Sequence, residues 1–302
     1  MTVNEADESG IPPVGERVRV AGRHLYLYRA GAGAPAVVFL PGAGGVGLDF
    51  LNVHRAVAEF TTAVLYDRGG TGWSDRVDLP RTASEVATEL HSLLEAAAIP
   101  GPYLLVAHDL GGAYARRFAQ LFPEATAGLV GLDPFHEDWD AHMPADLHLD
   151  QTPTVTPGRF QTTLLRVLSR PFYRAMFADW PPGIRKPLVE GHVGRAWMVA
   201  GARERRNLAA VRDELKAGTP FPDVPVTVLA AAGVDSGQRR GLTKTMRAEL
   251  VEAKNALYSA MTGAVTVGEY RALPQARHST LHLDASDAVV EAVRAVHRRV
   301  TS

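Results

Sequence analysis

The sequence predicts an α/β protein: a mostly parallel sheet covered by helices, with one long helical insertion. Three observations carry that expectation. Short apolar runs alternate with stretches of helical periodicity over the first half of the chain. Runs such as Ala36-Val37-Val38-Phe39-Leu40 are apolar at every position, as strands buried on both faces require. The alternation stops after Asp133-Pro134 and resumes only at Val226.

Residues 16–20 and 23–28 read as an initial hairpin turning at Ala21-Gly22, and residues 36–40 and 62–66 as the next two strands. Thr82-Ala83-Ser84-Glu85 is a capping box opening a helix whose Val86, Leu90, Leu93 and Leu94 share one face. Residues 103–107 form a strand, 112–121 the helix after it, and 129–132 the sixth strand, closed by Asp133-Pro134. Residues 135–222 are irregular and rich in Pro, His and Trp, with helical stretches near 162–177 and 195–216. Strand character returns at 226–229. A helix near 242–261, a pattern near 264–270 that reads less clearly as strand, and a helix over 285–299 close the chain. The organisation expected is a leader over 1–13, a core over 14–134 and 223–302, and a lid over 135–222. Such a lid would cover the carboxyl ends of the strands, where open α/β sheets bind ligands.

The chain has 302 residues, 46% hydrophobic and 22% charged, proportions that exclude a disordered chain. Its 32 basic and 33 acidic residues give a net charge of -1, which argues against nucleic acid or a membrane as main partner. The partner expected is a small-molecule substrate; oligomeric state is not readable. The absence of cysteine excludes disulfides, thiolate catalysis and cysteine-held zinc. An acidic, polar start without an apolar core lacks the marks of a signal peptide, and the expected location is cytoplasmic.

The most informative segment is Leu104-Leu105-Val106-Ala107-His108-Asp109-Leu110-Gly111-Gly112. A buried strand runs into a helix through a turn with small residues two before and two after a central side chain. That is the pattern of a nucleophile elbow, whose strained centre leaves no room for larger flanking groups. On this segment, with Phe39-Leu40-Pro41-Gly42-Ala43-Gly44-Gly45, Asp67-Arg68-Gly69-Gly70-Thr71-Gly72-Trp73-Ser74 and Ala276-Arg277-His278-Ser279-Thr280-Leu281-His282, the chain resembles the α/β-hydrolase family over nearly its whole length. The resemblance implies the α/β-hydrolase fold: a mostly parallel eight-stranded sheet flanked by helices, with a helical lid after the sixth strand.

An elbow aspartate in place of serine is similar to epoxide hydrolases and dehalogenases. A carboxylate is a poor acyl nucleophile but displaces a leaving group at saturated carbon, giving an alkyl-enzyme ester that a histidine-activated water hydrolyses. The context around Asp109 is closer to serine esterases. Two other readings therefore stand: an engineered or drifted serine position, or a general base in a lyase or cyclase. The resemblance assigns the histidine to His278, with His282 a weaker rival. The orienting acid falls at Asp235, after the seventh strand, with Asp133 as the alternative. The oxyanion donors fall at the backbone amides of Ala43 and Leu110. Leu110 also stands where haloalkane and fluoroacetate dehalogenases carry Trp or Arg, which disfavours dehalogenation. Opening an epoxide in an apolar molecule is the reading preferred. It calls for a proton donor from the lid, with Tyr173 first and Trp180, Trp197, His136, His142, His148 and His192 as alternatives.

Two patterns compete with this reading. Gly42-Ala43-Gly44-Gly45-Val46-Gly47 matches a dinucleotide fingerprint, with Asp67 as a ribose ligand, but the same residues fit an oxyanion loop. His136-Glu137-Asp138-Trp139-Asp140-Ala141-His142 lacks the spacing of a metal site. No cofactor and no metal is expected.

Overall fold

The computed structural model of the protein describes residues 10–151, 156–233, 235 and 243–301. Residues 1–9 of the expected leader lie outside them. The strands are β1 (Glu16–Val20), β2 (Arg23–Ala30), β3 (Ala36–Leu40), β4 (Ala63–Tyr66), β5 (Tyr103–His108), β6 (Thr126–Leu132), β7 (Val226–Ala231) and β8 (Gly268–Leu273). They form one sheet in the order β1-β2-β4-β3-β5-β6-β7-β8. β2 runs antiparallel to β1 and β4, and every pairing from β4 to β8 is parallel. Ala21 and Gly22 have φ of 47° and 85°, so a two-residue turn joins β1 to β2 with a twist that matches the paired strands.

The helices before β6 are α1 (Leu51–Ala58), α2 (Ala83–Ala96) and α3 (Leu110–Leu121). Between β6 and β7 lie α4 (Trp139–His142), α5 (Arg159–Met176), α6 (Pro182–His192), α7 (Arg195–Glu204) and α8 (Leu208–Lys216). After β7 come α9 (Lys244–Gly263), α10 (Leu281–Asp284) and α11 (Ser286–Thr301). The continuous helix expected over 195–216 is two helices joined by a 3-10 turn over Arg205–Asn207. Side chains of the turn reach the core: Arg205 Nη2 donates to Ala43 O at 2.7 Å and Asn207 Nδ2 to Arg81 O at 2.8 Å. Asparagine also competes for such local bonds at the expense of helix.

The central strands are apolar throughout because each face has its own core. Val37 and Phe39 pack with Val53 and Val57 of α1 and Val289 and Val293 of α11. Val38 and Leu40 pack with Leu90 of α2, Phe118 of α3 and Leu257 of α9. Burying this much aliphatic surface, at roughly 25 cal/mol per Å², is the main drive to fold. Among the described residues no helix is long and apolar enough to cross a membrane.

The α2 cap forms as the sequence predicts. Glu85 N donates to Thr82 Oγ1 at 3.1 Å, and Thr82 N donates to Glu85 Oε2 at 2.9 Å. Thr82→Ala removes the first of these bonds and should lower the unfolding free energy by about 1 kcal/mol in urea titrations. An unchanged midpoint would mean that the cap adds nothing to stability.

Candidate active site

Three chain segments bring titratable side chains to the carboxyl edge of the parallel part of the sheet. Asp109 stands between β5 and α3, Asp133 just past β6, and His278 in a short 3-10 turn after β8. Asp109 has φ 49° and ψ -126°, a conformation non-glycine residues seldom adopt. Bonds from its neighbours hold it there: its carbonyl accepts from Gly112 N at 2.9 Å and Phe135 N at 2.8 Å. Helix α3 then passes so close to β3 that a Cβ on Gly111 would lie 2.1 Å from Leu40 O, so only glycine fits.

His278 Nδ1 donates to Asp133 Oδ2 at 2.7 Å, and its Nε2 faces Asp109 Oδ1 at 3.7 Å, beyond hydrogen-bond reach. With Nδ1 committed to Asp133, Nε2 is the nitrogen free to take a proton. Lys254 Nζ donates to the same Asp133 oxygen at 2.6 Å and to Ala231 O at 2.8 Å. Burial alone would favour a neutral Asp133, but the Lys254 charge and the His278 hydrogen bond hold its carboxyl well below the usual range. Burial opposes a charge on His278 too, and the bond to Asp133 with the nearby carboxylates overrides it and raises the imidazole. Asp109 stays low because the charges of His278 and Arg205 outweigh its burial. The side chains of Asp109 and His278 are 30% and 33% exposed, against 1% for Asp133, so substrate can reach the first two only.

The Pro41–Gly44 loop is fastened at nearly every polar atom. Arg68 donates to Pro41 O at 2.7 Å and Gly42 O at 3.0 Å, and Arg205 donates to Ala43 O. Glu204, paired with buried Arg68 at 2.9 Å, accepts from Gly44 N at 2.8 Å. Ala43 N is thereby turned to Asp109 Oδ2, 3.1 Å away. The amide of Leu110 is the first N–H of α3, where the helix dipole favours negative charge.

A cavity of about 180 Å³ opens onto these groups, walled by Ala43, Phe172, Tyr173, Met176, His192 and Arg205 as well as by Asp109 and His278. His192 Nε2 lies 2.7 Å from Asp49 Oδ1, and its ring stacks on Tyr173 with centroids 4.5 Å apart.

The structure brings Asp133, not Asp235, to His278. The Asp235 carboxylate instead accepts from Ser279, one residue on. Tyr173 reaches the cavity; Trp180 and Trp197 do not. Trp180 is buried with its Nε1 donating to Leu48 O at 2.9 Å, and Trp197 packs edge-on against Trp73. His282 is buried against Phe50, and burial pushes its imidazole down to about 3. Both carboxylate oxygens of Asp67 are taken by the amides of Gly47 and Trp73, at 2.7 and 2.9 Å. The residues that sequence reasoning missed are Arg68, Glu204, Arg205 and Lys254; His192, one of the donors considered, does line the cavity. Only Lys254 left a trace: it interrupts the apolar stripe of Leu250, Leu257 and Met261 on α9, and a lysine there calls for a buried carboxylate.

A model of the alpha/beta hydrolase family matches residues 37–292. RutD of Cronobacter sakazakii, which carries a provisional carbamate-hydrolase name, is 38% identical over 101 residues. Those residues are 32% of this chain and 37% of RutD. The uncharacterized YqjL of Bacillus subtilis is 30% identical over 127 residues, 41% of this chain and 50% of that protein. The chain thus spans half or less of either relative. Among solved structures, the epoxide hydrolase CorEH superposes with a TM-score of 0.65 at 15% identity, covering 94% of this chain and 98% of its own. A thermophilic esterase from Thermogutta terrifontis gives 0.64 at 15%, covering 95% and 99%. At these identities the likeness is one of fold.

Lys254 is within reach of the His278 field through Asp133, and its charge disfavours the imidazolium. In a Lys254→Met variant the His278 ring should titrate at higher pH than in the parent, as followed by histidine NMR. A titration that stays put or moves down would remove Lys254 from this network.

Proposed function

The chain belongs to the alpha/beta hydrolase family, and from that premise we propose that it is a cofactor-independent hydrolase with Asp109 as nucleophile, opening an epoxide in an apolar small molecule. The observation that carries the reading is an ionised carboxylate at the strained elbow, facing the proton-accepting nitrogen of His278 with the Ala43 amide on its other oxygen.

In the first step an Asp109 oxygen attacks a ring carbon, the carbon–oxygen bond of the epoxide breaks, and its electron pair stays on the ring oxygen. Tyr173 supplies the proton to that oxygen. Burial pushes its phenol up to about 12, so it enters the step protonated. In the second step His278 Nε2 takes a proton from water as the water attacks the Asp109 ester carbon. The amides of Ala43 and Leu110 meet the oxyanion; its collapse expels the diol alkoxide, which takes the proton from His278 Nε2, and the carboxyl left on Asp109 gives up its proton, restoring the carboxylate and the Tyr173 phenol. Asp133 orients the imidazole and stabilises its charged form. Residues 135–222 act as the lid that supplies Tyr173 and shields the cavity.

Excess enzyme offered epoxides in heavy-oxygen water should gain label in the Asp109 carboxylate, read by mass spectrometry of its peptide. The diol then carries the original aspartate oxygen. Substrate consumed without label would make Asp109 a base, as in a lyase or cyclase. His278→Ala should accumulate protein heavier by the mass of one intact substrate.

Asp133→Asn should slow ester hydrolysis by on the order of 10³-fold or more, while Asp235→Asn should stay within a few-fold of the parent. The reverse ranking would return the orienting role to Asp235. Because Nε2 must be unprotonated and its pKa is raised, ester hydrolysis should fall as the pH drops through a value above that of a free imidazole.

A further inference from the structure

Helix α5 is amphipathic in the wrong sense for a globular protein. Of the nine large hydrophobic side chains exposed among the described residues, six lie on it: Phe160, Leu164, Leu165, Val167, Leu168 and Phe172. Phe160 is 83% exposed, Val167 67% and Leu168 66%. Their three- and four-residue spacing gathers them on one side. The residues turned toward the protein are Thr162, which is buried, with half-buried Ser169, Arg170, Tyr173 and Met176. The helix thus packs through its more polar side and shows water its apolar one, the reverse of an ordinary surface helix.

Charge says what covers that side. Helix α5 carries Arg159, Arg166, Arg170 and Arg174 and no acidic residue. Arg170 pairs with Glu190 at 2.8 Å and Arg166 approaches it at 3.6 Å, while Arg159 and Arg174 are exposed. An anionic surface meets both features at once. We propose that α5 docks this protein onto an anionic lipid surface, with the apolar stripe entering the acyl boundary and the arginines meeting the headgroups. The balanced charge of the whole chain conceals this local segregation. Phe172 belongs both to the stripe and to the cavity wall, so docking sets the cavity mouth against the lipid. The proposal does not depend on the chemistry at Asp109.

The full chain should sediment with phosphatidylcholine vesicles that contain phosphatidylglycerol, less so as salt is added, and not with phosphatidylcholine alone. Val167→Glu with Leu168→Glu, both at exposed positions, should reduce the bound fraction by about tenfold. Arg159→Glu with Arg174→Glu should reduce it without touching the stripe, and serves if the first variant fails to fold. A protein that never sediments overturns the proposal. So does a dimer in light scattering that the Val167→Glu/Leu168→Glu variant splits without any vesicle binding, since a second copy is then the occupant. Equal binding by both variants overturns it too.

Discussion

The buried pair of Arg68 and Glu204 is the interaction on which the site depends. Arg68 leaves β4, is 1% exposed and spends its guanidinium on Glu204 and on the carbonyls of Pro41 and Gly42. Glu204 returns the bond through Gly44 N. A buried ion pair adds little net stability against an apolar equivalent, but losing one partner costs about 3–5 kcal/mol because the other charge is stranded. Its contribution here is geometric. With the carbonyls drawn to one side, the Ala43 amide has only the Asp109 direction left.

Around that fixed loop cations and carboxylates alternate, Lys254 beside Asp133 and Arg205 near Asp109, with the His278 imidazole between the two carboxylates. Burial opposes the charges on Asp133 and Asp109, and Lys254 with His278 at the one and His278 with Arg205 at the other outweigh it; burial also opposes a charge on His278, which the two carboxylates favour. The arrangement suits a base that must accept a proton beside a carboxylate that must not. His108 and His282, whose rings lie nearby, are kept neutral mainly by burial and stay out of the chain.

Much of this was legible in the sequence where the information is local. The fully apolar 36–40 run, the Thr82 capping box and the small residues around Asp109 each specify their element through backbone and packing rules that act within a few residues. His278 came with the same ease, through the segment around it. The carboxylate that faces His278 did not, because Asp133 and Asp235 both follow strands that end beside one another. What separates them is Lys254, 121 positions away from Asp133, together with the diversion of Asp235 to Ser279. The clamp on the Pro41–Gly44 loop was invisible for the same reason: Arg68 and Glu204 lie 136 positions apart. The break at Arg205–Asn207 was missed because its cause is also distant, in Ala43 and Arg81.

Glu204 and Arg205 sit at the junction of α7 and α8, inside the insertion, yet both bond the loop that faces the elbow. The insertion is therefore not an interchangeable cap. A chimera whose insertion lacked an acid at 204 and a donor at 205 would leave Arg68 buried without its carboxylate and the Ala43 carbonyl without its donor. Grafting for new specificity has to keep these two residues, or carry Arg68 and its loop along with the graft. In this chain the wall of the cavity and the loop that faces Asp109 are tied through the same two adjacent residues, so a change in one is felt in the other.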